Sequence, residues 1–485
     1  MVGQQIESLQ KWLEKRDVRL PAGLYFGSDA TCGTSIFTKD TLPAGTCAID
    51  LPSDLPITST FSYDAICDSV GISPDQRQQE KEIVDATFAQ AGVELVPADW
   101  VVLHLLLVRL LLDEGLVHVT SDGDAKMGLK GERTSIRPHM LRLIEHAPYI
   151  NAIPYPEIAL TPLHFNDAEL RMLRGTSLFG ATVQRRSRGE KVVDTFSKWL
   201  AHHCLESLSS DITEERFLSA SLFAGTGRLQ RLWRWADTSF GSRSFPSRIL
   251  GIDDEANPSF GAVLVPGLDS FNHQRGRRVT WQFDRSSHSS NAGRTRLILD
   301  TPTEAGTQVF NNYGAKSTEE LLGSYGFVLK ESVAKQDDAL GLLISAKGDV
   351  PASGSSLHWW KHGADQGPPP ALIDEIRNLL RSGDAQKPRQ GESSELDQIE
   401  EDGEVYAALE DMLHAKLQAF CEGPGLPADE FSDSQGSVRP AVSDMVAVYR
   451  KGQEEILEQA IRWTESKLQE LEQQWSQLED ATEGQ

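Results

Sequence analysis

Residues 261–283, GAVLVPGLDSFNHQRGRRVTWQF, and 307–327, TQVFNNYGAKSTEELLGSYGF, decide how this chain folds. Ala262 to Val265 form a short apolar run that Pro266-Gly267 stops. The pattern predicts a buried strand delivering residues 269–273 onto a turn, with Asn272 and His273 within reach of a ligand. A second apolar run, 296–299, leads through Pro302 and Gly306 to Val309-Phe310. There a further strand is expected, its end releasing Asn311, Asn312, Tyr313 and Gly314. From Ser317 the apolar period turns helical through Leu321 and Leu322, and Gly326 is the expected stop.

Taken in order, Asp269-x-x-Asn272-His273, a spacer, a strand ending in Tyr313, a short helix and Tyr325-Gly326-Phe327 resemble the SET-domain protein methyltransferases. Within that family the pattern is similar to the group typified by the Rubisco large-subunit lysine methyltransferase. An Asn-His pair alone carries little weight, whereas three elements in the family's order, with Tyr313 and Tyr325 twelve positions apart, carry much more. The resemblance implies an α+β fold: a split SET domain of small β-sheets with a helical insertion, followed by an all-helical C-terminal domain. The corresponding segments are an N-terminal helix (1–22), the SET domain (23–330, as 23–57, an insert 58–245, and 246–330) and a substrate-binding helical domain (331–485).

The rest of the chain accommodates this division. Residues 6–16 have helical spacing through Ile6, Leu9, Trp12 and Leu13, and residues 21–23 break it. Residues 31–58, TCGTSIFTKDTLPAGTCAIDLPSDLPIT, read as two short strands around the turn 42–45. This resembles the opening of a SET domain, where the family has Gly-x-Gly beside its cofactor. Only Gly33 is present here, and Thr34 or Ser35 stands at the second position. Residues 61–232 are mainly helical in pattern. Residues 99–114 are apolar on nearly every face, as in a buried helix, and Asn166-Asp167 would cap a helix starting near Ala168. RLWRWADTSFGSRSFPSR (231–248) resembles the family helix that returns to the SET core, with Ser242-Arg243-Ser244-Phe245 at its end.

Residues 366–370 and 382–394 read as polar linkers, and the run 400–402 as a solvated acidic face. The closing helix carries one apolar seam, Leu457, Ile461, Thr464, Leu468, Leu471, Trp475 and Leu478.

A length of 485 residues suggests two or three domains, and 39% hydrophobic with 24% charged residues is ordinary for a globular protein. A net charge of -24 argues against direct nucleic-acid binding and favours basic partners. The five cysteines, Cys32, Cys47, Cys67, Cys204 and Cys421, have no metal-ligand spacing and read as reduced thiols, so no metal is expected. Residues 314–317 lack the glycine pattern of a phosphate loop, and His202-His203 have no carboxylate at a metal-like interval. The N-terminus lacks the apolar core of a signal peptide, and the most apolar run, 100–112, is too short to span a bilayer. A cytoplasmic or nuclear protein, unattached to membranes, is expected.

The resemblance implies an S-adenosylmethionine-dependent protein-lysine N-methyltransferase acting on a basic, non-histone protein, such as a ribosomal or translation protein. A protein-histidine methyltransferase of the same group is the alternative, and the missing glycine raises a catalytically silent SET-fold binding module as another. By the same resemblance Tyr313 is catalytic. Gly33, Arg243, Asn272, His273, Tyr313 and Phe327 bind the cofactor, Asp269 and Tyr325 line the substrate channel, and Trp281 or Phe283 supplies another substrate-side aromatic. The chemistry is coherent: the accepting amine must be neutral, a free lysine has a pKa of about 10.4, and a narrow apolar channel lowers it by desolvation.

Overall fold

Leu9, Trp12 and Leu13 share one face of the first helix and are all buried, which is why an otherwise polar segment folds onto the core. The computed structural model describes residues 2–29, 33–128, 140–155, 159–207, 226–252, 261–285, 293–329, 337–344, 357–363, 367–383, 394–422 and 437–483. Cys32, Lys330, Gln366 and residues 384–393, which carry a cysteine, a domain boundary and parts of both linkers above, lie outside the described residues.

The chain divides into two compact units, Met1–Ala159 with Arg186–Gly314, and Leu160–Arg185 with Ala315–Gln485. Thus residues 160–185 and 315–329, placed by sequence within the SET segment, group with the C-terminal helices.

The first unit contains helices α1 (Val2–Lys15), α2 (Ser59–Ser69), α3 (Arg77–Gln90), α4 (Pro97–Asp113), α5 (Leu141–Ile144) and α6 (Ala147–Ala152). Its strands are β1 (Leu24–Asp29), β2 (Gly33–Thr38), β3 (Thr46–Pro52), β4 (Val117–Val119), β5 (Ala125–Met127), β6 (Ser244–Phe245), β7 (Val263–Leu264), β8 (Val279–Asp284) and β9 (Arg294–Leu299). They form small antiparallel sheets: β1 with β2, β4 with β5, β6 with β7, and the three-stranded β3-β9-β8. The β3–β9 ladder joins the two strand-rich blocks that sequence separates, and isolated antiparallel bridges Phe37–Gln308, Leu42–Thr303 and Ile57–Leu264 add to it.

Helix α4 begins with Pro97, whose missing N–H costs nothing at a first turn, and Asp99 accepts the Val96 N–H at 2.8 Å. Arg188 then grips the Asp99 carboxylate with both terminal nitrogens, at 2.8 and 2.6 Å. His104 is fully buried on α4; its Nε2 bonds the Leu143 carbonyl at 2.8 Å. His146 is likewise buried and bonds the Leu55 carbonyl at 2.9 Å. His202-His203 have no carboxylate at a metal-like interval in sequence, and His203 meets one distant in sequence, Glu80 of α3, at 3.0 Å.

In the second unit Asn166 caps α7 (Asp167–Arg171), and Glu169 closes a capping box with it. The unit boundary falls inside α8 (Ser177–Ser207), which α9 (Thr226–Arg243) follows in the first unit. Next come α10 (Thr318–Glu320), a π turn (Leu321–Tyr325), α11 (Pro370–Gly383), α12 (Glu395–Glu422) and α13 (Pro440–Glu483). Among its described residues the C-terminal region is mainly helical, with one antiparallel strand pair, β10 (Ala339–Leu343) with β11 (Leu357–Lys361). The all-helical expectation missed this pair because its buried residues, Leu340, Leu342 and Trp360, are too few to set a period. The α13 seam faces inward as expected, with Leu457, Ile461, Thr464 and Leu471 buried. No helix among the described residues is long and apolar enough to cross a membrane.

Two measurements check this packing. A Cβ added at Gly189 would lie 2.2 Å from the Trp233 ring, so Gly189→Ala should cost about 1–3 kcal/mol in denaturant unfolding. Burial pushes the pKa of His104 and His146 down to about 4, against about 6.5 in the unfolded chain. The unfolded state therefore takes up the protons. The stability that each histidine contributes is complete above pH 6.5 and is lost as pH falls toward 4, by about 3 kcal/mol each at the limit. Unfolding curves between pH 7.5 and 4.5 should show this slope, reduced in His104→Gln.

Candidate active site

Gly267 follows β7 at φ +89°, and a Cβ there would sit 3.3 Å from Leu13 and Ile49 side-chain atoms, so only glycine turns the chain here without strain. The next residues, Leu268–Ser270, form a 3-10 turn that buries Asp269. One Asp269 oxygen accepts the Gly267 N–H at 3.2 Å. The other accepts the Tyr149 hydroxyl and Arg243 Nη1, both at 2.9 Å. The Asp269 side chain is 1% exposed and that of Arg243 24%. Burial lowers the pKa of Arg243, but the carboxylate beside it more than offsets this and leaves it raised. Burial and the same carboxylate push the Tyr149 hydroxyl well above its usual range.

Asp269 was expected to line a substrate channel. Its carboxylate instead faces the interior and holds the end of α9 and helix α6 to the turn.

After this turn, Asn272 extends its amide to two side chains distant in sequence, donating to Ser35 Oγ and, at 2.9 Å, to Gln308 Oε1. Ser35 occupies one of the two positions where the second glycine was sought, and it is fully buried. Main-chain bonds join the loop to Asn311. The Asn311 N–H donates to the Asn272 carbonyl at 2.8 Å, and the Gln274 N–H donates to the Asn311 carbonyl at 2.9 Å.

Residues 309–310 do not form the expected regular strand. Their neighbours pair in single bridges with different partners, Gln308 with Phe37 and Asn311 with His273, so the segment is drawn between two elements and no ladder develops.

Tyr313 leaves this segment against His273. Its N–H donates to His273 Nδ1 at 3.0 Å, the rings stack with centroids 5.1 Å apart, and its hydroxyl donates to the Phe271 carbonyl at 3.2 Å. Burial, with a smaller effect of Arg275, takes the His273 pKa to about 4. His273 is therefore neutral at pH 7, and an accepting Nδ1 puts its proton on Nε2.

Of the two candidate aromatics, Trp281 reaches this cluster: its Nε1 donates to Asn311 Oδ1 at 3.1 Å, and its ring meets Phe245 edge-on. Phe283 instead packs on Gly251 and Gly293, where an added Cβ would lie 2.4 and 2.5 Å from its ring. Gly33 opens β2 at φ +75°, with open space where a side chain would begin.

The first unit thus brings together Asp269, Arg243, Asn272, His273 and Tyr313. Tyr149 and Gln308, which help hold them, carried no signal in sequence, and Ser35 and Asn311 were placed there without their partners, because those partners lie in other segments. Tyr325 and Phe327 belong to the second unit, where their rings meet edge-on at 6.1 Å. They flank Gly326, which ends the π turn in the left-handed conformation as expected. Burial raises the Tyr325 pKa.

A scan against models of known protein families gives no match. Ribosomal lysine N-methyltransferase set10 of Schizosaccharomyces pombe is 29% identical over 196 residues, 40% of this chain and 30% of that protein. Ribosomal lysine N-methyltransferase 1 of Saccharomyces cerevisiae is 27% identical over 228 residues, 42% of this chain and 35% of that protein. The chain spans about a third of the length of these curated relatives. Among solved structures, the SET domain of LSMT bound to lysine and AdoHcy matches with a TM-score of 0.59 at 17% identity, over 99% of this chain and 96% of that one. The chain thus has a SET-domain fold like that of Rubisco LSMT, and ribosomal lysine methyltransferases are among its sequence relatives.

Proposed function

We propose that this chain is an S-adenosylmethionine-dependent protein-lysine N-methyltransferase whose substrate is a non-histone protein, a ribosomal protein foremost. The observation that carries this reading is the clasp of Tyr313 on His273, hydrogen-bonded and stacked at the end of the Asp269 turn. Lysine is favoured over histidine as acceptor because both relatives described above are named as lysine methyltransferases. The net charge of -24 suits a basic target, and ribosomal proteins would be met in the cytoplasm or nucleus.

Two of the residues present suit a positively charged cofactor. His273 is neutral and Arg243 is paired with Asp269, so neither adds an uncompensated positive charge beside a sulfonium. When bound, the cofactor supplies the methyl group, carried on that sulfonium. Gly33, Arg243, Asn272, His273 and Tyr313 would hold it, Gly33 by letting it approach the main chain. Tyr325 and Phe327 belong to the second unit, and no role in holding the cofactor is assigned to them. The absent second glycine does not argue for a silent module, because Ser35 in that stretch serves as an acceptor for Asn272.

Tyr313 has its hydroxyl proton on the Phe271 carbonyl, so toward an incoming amine or a polarised methyl its oxygen acts as an acceptor. Asp269 is buried and already bonded, which rules it out as the base that takes the amine proton; the amine must lose its proton by desolvation before it attacks.

The test uses ribosomal protein from cells lacking this chain, incubated with the full-length protein and methyl-labelled S-adenosylmethionine, followed by mass-spectrometric mapping. Methyl-lysine is expected, and Tyr313→Phe should lower the transfer rate roughly 100-fold while leaving the fold intact. Methyl-histidine would replace the lysine reading, and Tyr313→Phe at the wild-type rate would refute the role given to this hydroxyl.

A further inference from the structure

We infer that Asn311 is a positioning residue: its side-chain oxygen fixes the turn that carries Tyr313 and ties Trp281 to that turn. This rests on the methyltransferase reading, which it deepens by naming a residue that no motif singles out.

Asn311 is fully buried. Its Oδ1 accepts the Asn312 N–H at 2.8 Å and Trp281 Nε1–H at 3.1 Å. Both partners can only donate, so a flipped amide would set donors against donors, and its orientation is determined. The other end of the amide, Nδ2, is buried with no hydrogen-bond partner. An unmet buried donor is costly, and an apolar residue of the same volume would avoid that cost. Asparagine here is therefore explained by its acceptor.

The acceptor sits where the backbone needs one. Residues 312–314 lie outside any strand ladder, and their three successive N–H groups are each taken by a side chain. Asn311 Oδ1 takes the first, His273 Nδ1 the second at 3.0 Å, and Asn312 Oδ1 the third at 2.9 Å. Through its main chain Asn311 also bonds Asn272 and Gln274, on either side of His273. Asn311 thus registers Tyr313 against His273 and carries Trp281 with them.

Two substitutions separate acceptor from donor. Asn311→Asp keeps the acceptor and replaces the donor without a partner by a second carboxyl oxygen, with burial favouring the neutral acid. Asn311→Leu keeps the branched shape, at a larger volume, and removes the acceptor. Three quantities are read for each: label transfer to ribosomal protein at saturating S-adenosylmethionine, the cofactor KM, and the Trp281 indole N–H resonance, assigned by its loss in Trp281→Phe.

Asn311→Leu should transfer roughly tenfold more slowly or worse, as misplacement of a reacting group does. Its cofactor KM should stay within about threefold, and the indole proton should move upfield. Asn311→Asp should keep both the rate and the resonance near wild type, and it decides alone if the leucine variant does not fold. Equal impairment of both variants, a wild-type rate in Asn311→Leu, or loss of rate in a folded Asn311→Asp overturns the inference. Wild-type protein that transfers no label overturns the enzymatic reading and this inference together.

Discussion

The Asp269 carboxylate is the interaction on which the candidate site depends. It is almost completely buried, and it gathers the Tyr149 hydroxyl from α6, the Arg243 guanidinium from the end of α9 and the Gly267 N–H from its own turn. A buried carboxylate is tolerable only when its lone pairs and charge are matched in this way. Removing one partner of such a pair costs about 3–5 kcal/mol, far more than any surface ion pair of this chain would. Because α6 and α9 belong to the long segment between the two strand-rich blocks, one carboxylate fastens that segment to the loop bearing Asn272 and His273. The same ion pair compensates the charge of Arg243, which the proposed reading places among the cofactor-binding residues.

Around this anchor the backbone is held more by side chains than by sheets. The strands that lead to the site, β6 and β7, have only two residues each, too short for a ladder to orient a site alone. Asn272 reaches Ser35 and Gln308, His273 accepts from Tyr313, and Asn311 and Asn312 take the N–H groups beside it. Burial keeps His273 neutral so that its Nδ1 can accept. A protonated ring would present N–H to N–H and lose both that bond and the register it sets.

Much of this was legible in sequence. Asp269, Asn272, His273 and Tyr313 stand at strand ends and turns that local apolar runs and glycines mark, and Gly326 and the Asn166 cap follow from backbone rules that need no tertiary information. The partners were not legible. Ser35 and Tyr149 come from segments whose local pattern says strand and helix, and only the closure of the fold brings them to Asn272 and Asp269. Residues 309–310 have a strand's composition without one continuous partner, and the pair β10–β11 buries too few residues to show a period. Asp269 itself could be located, but its direction could not, since burial and not the motif turns its carboxylate inward.

The central claim is that this clasp of loops forms a site for S-adenosylmethionine. Calorimetric titration of the full-length protein with the cofactor tests it most directly. Saturable binding of one cofactor per chain is the predicted result; no heat of binding at millimolar cofactor would contradict the account.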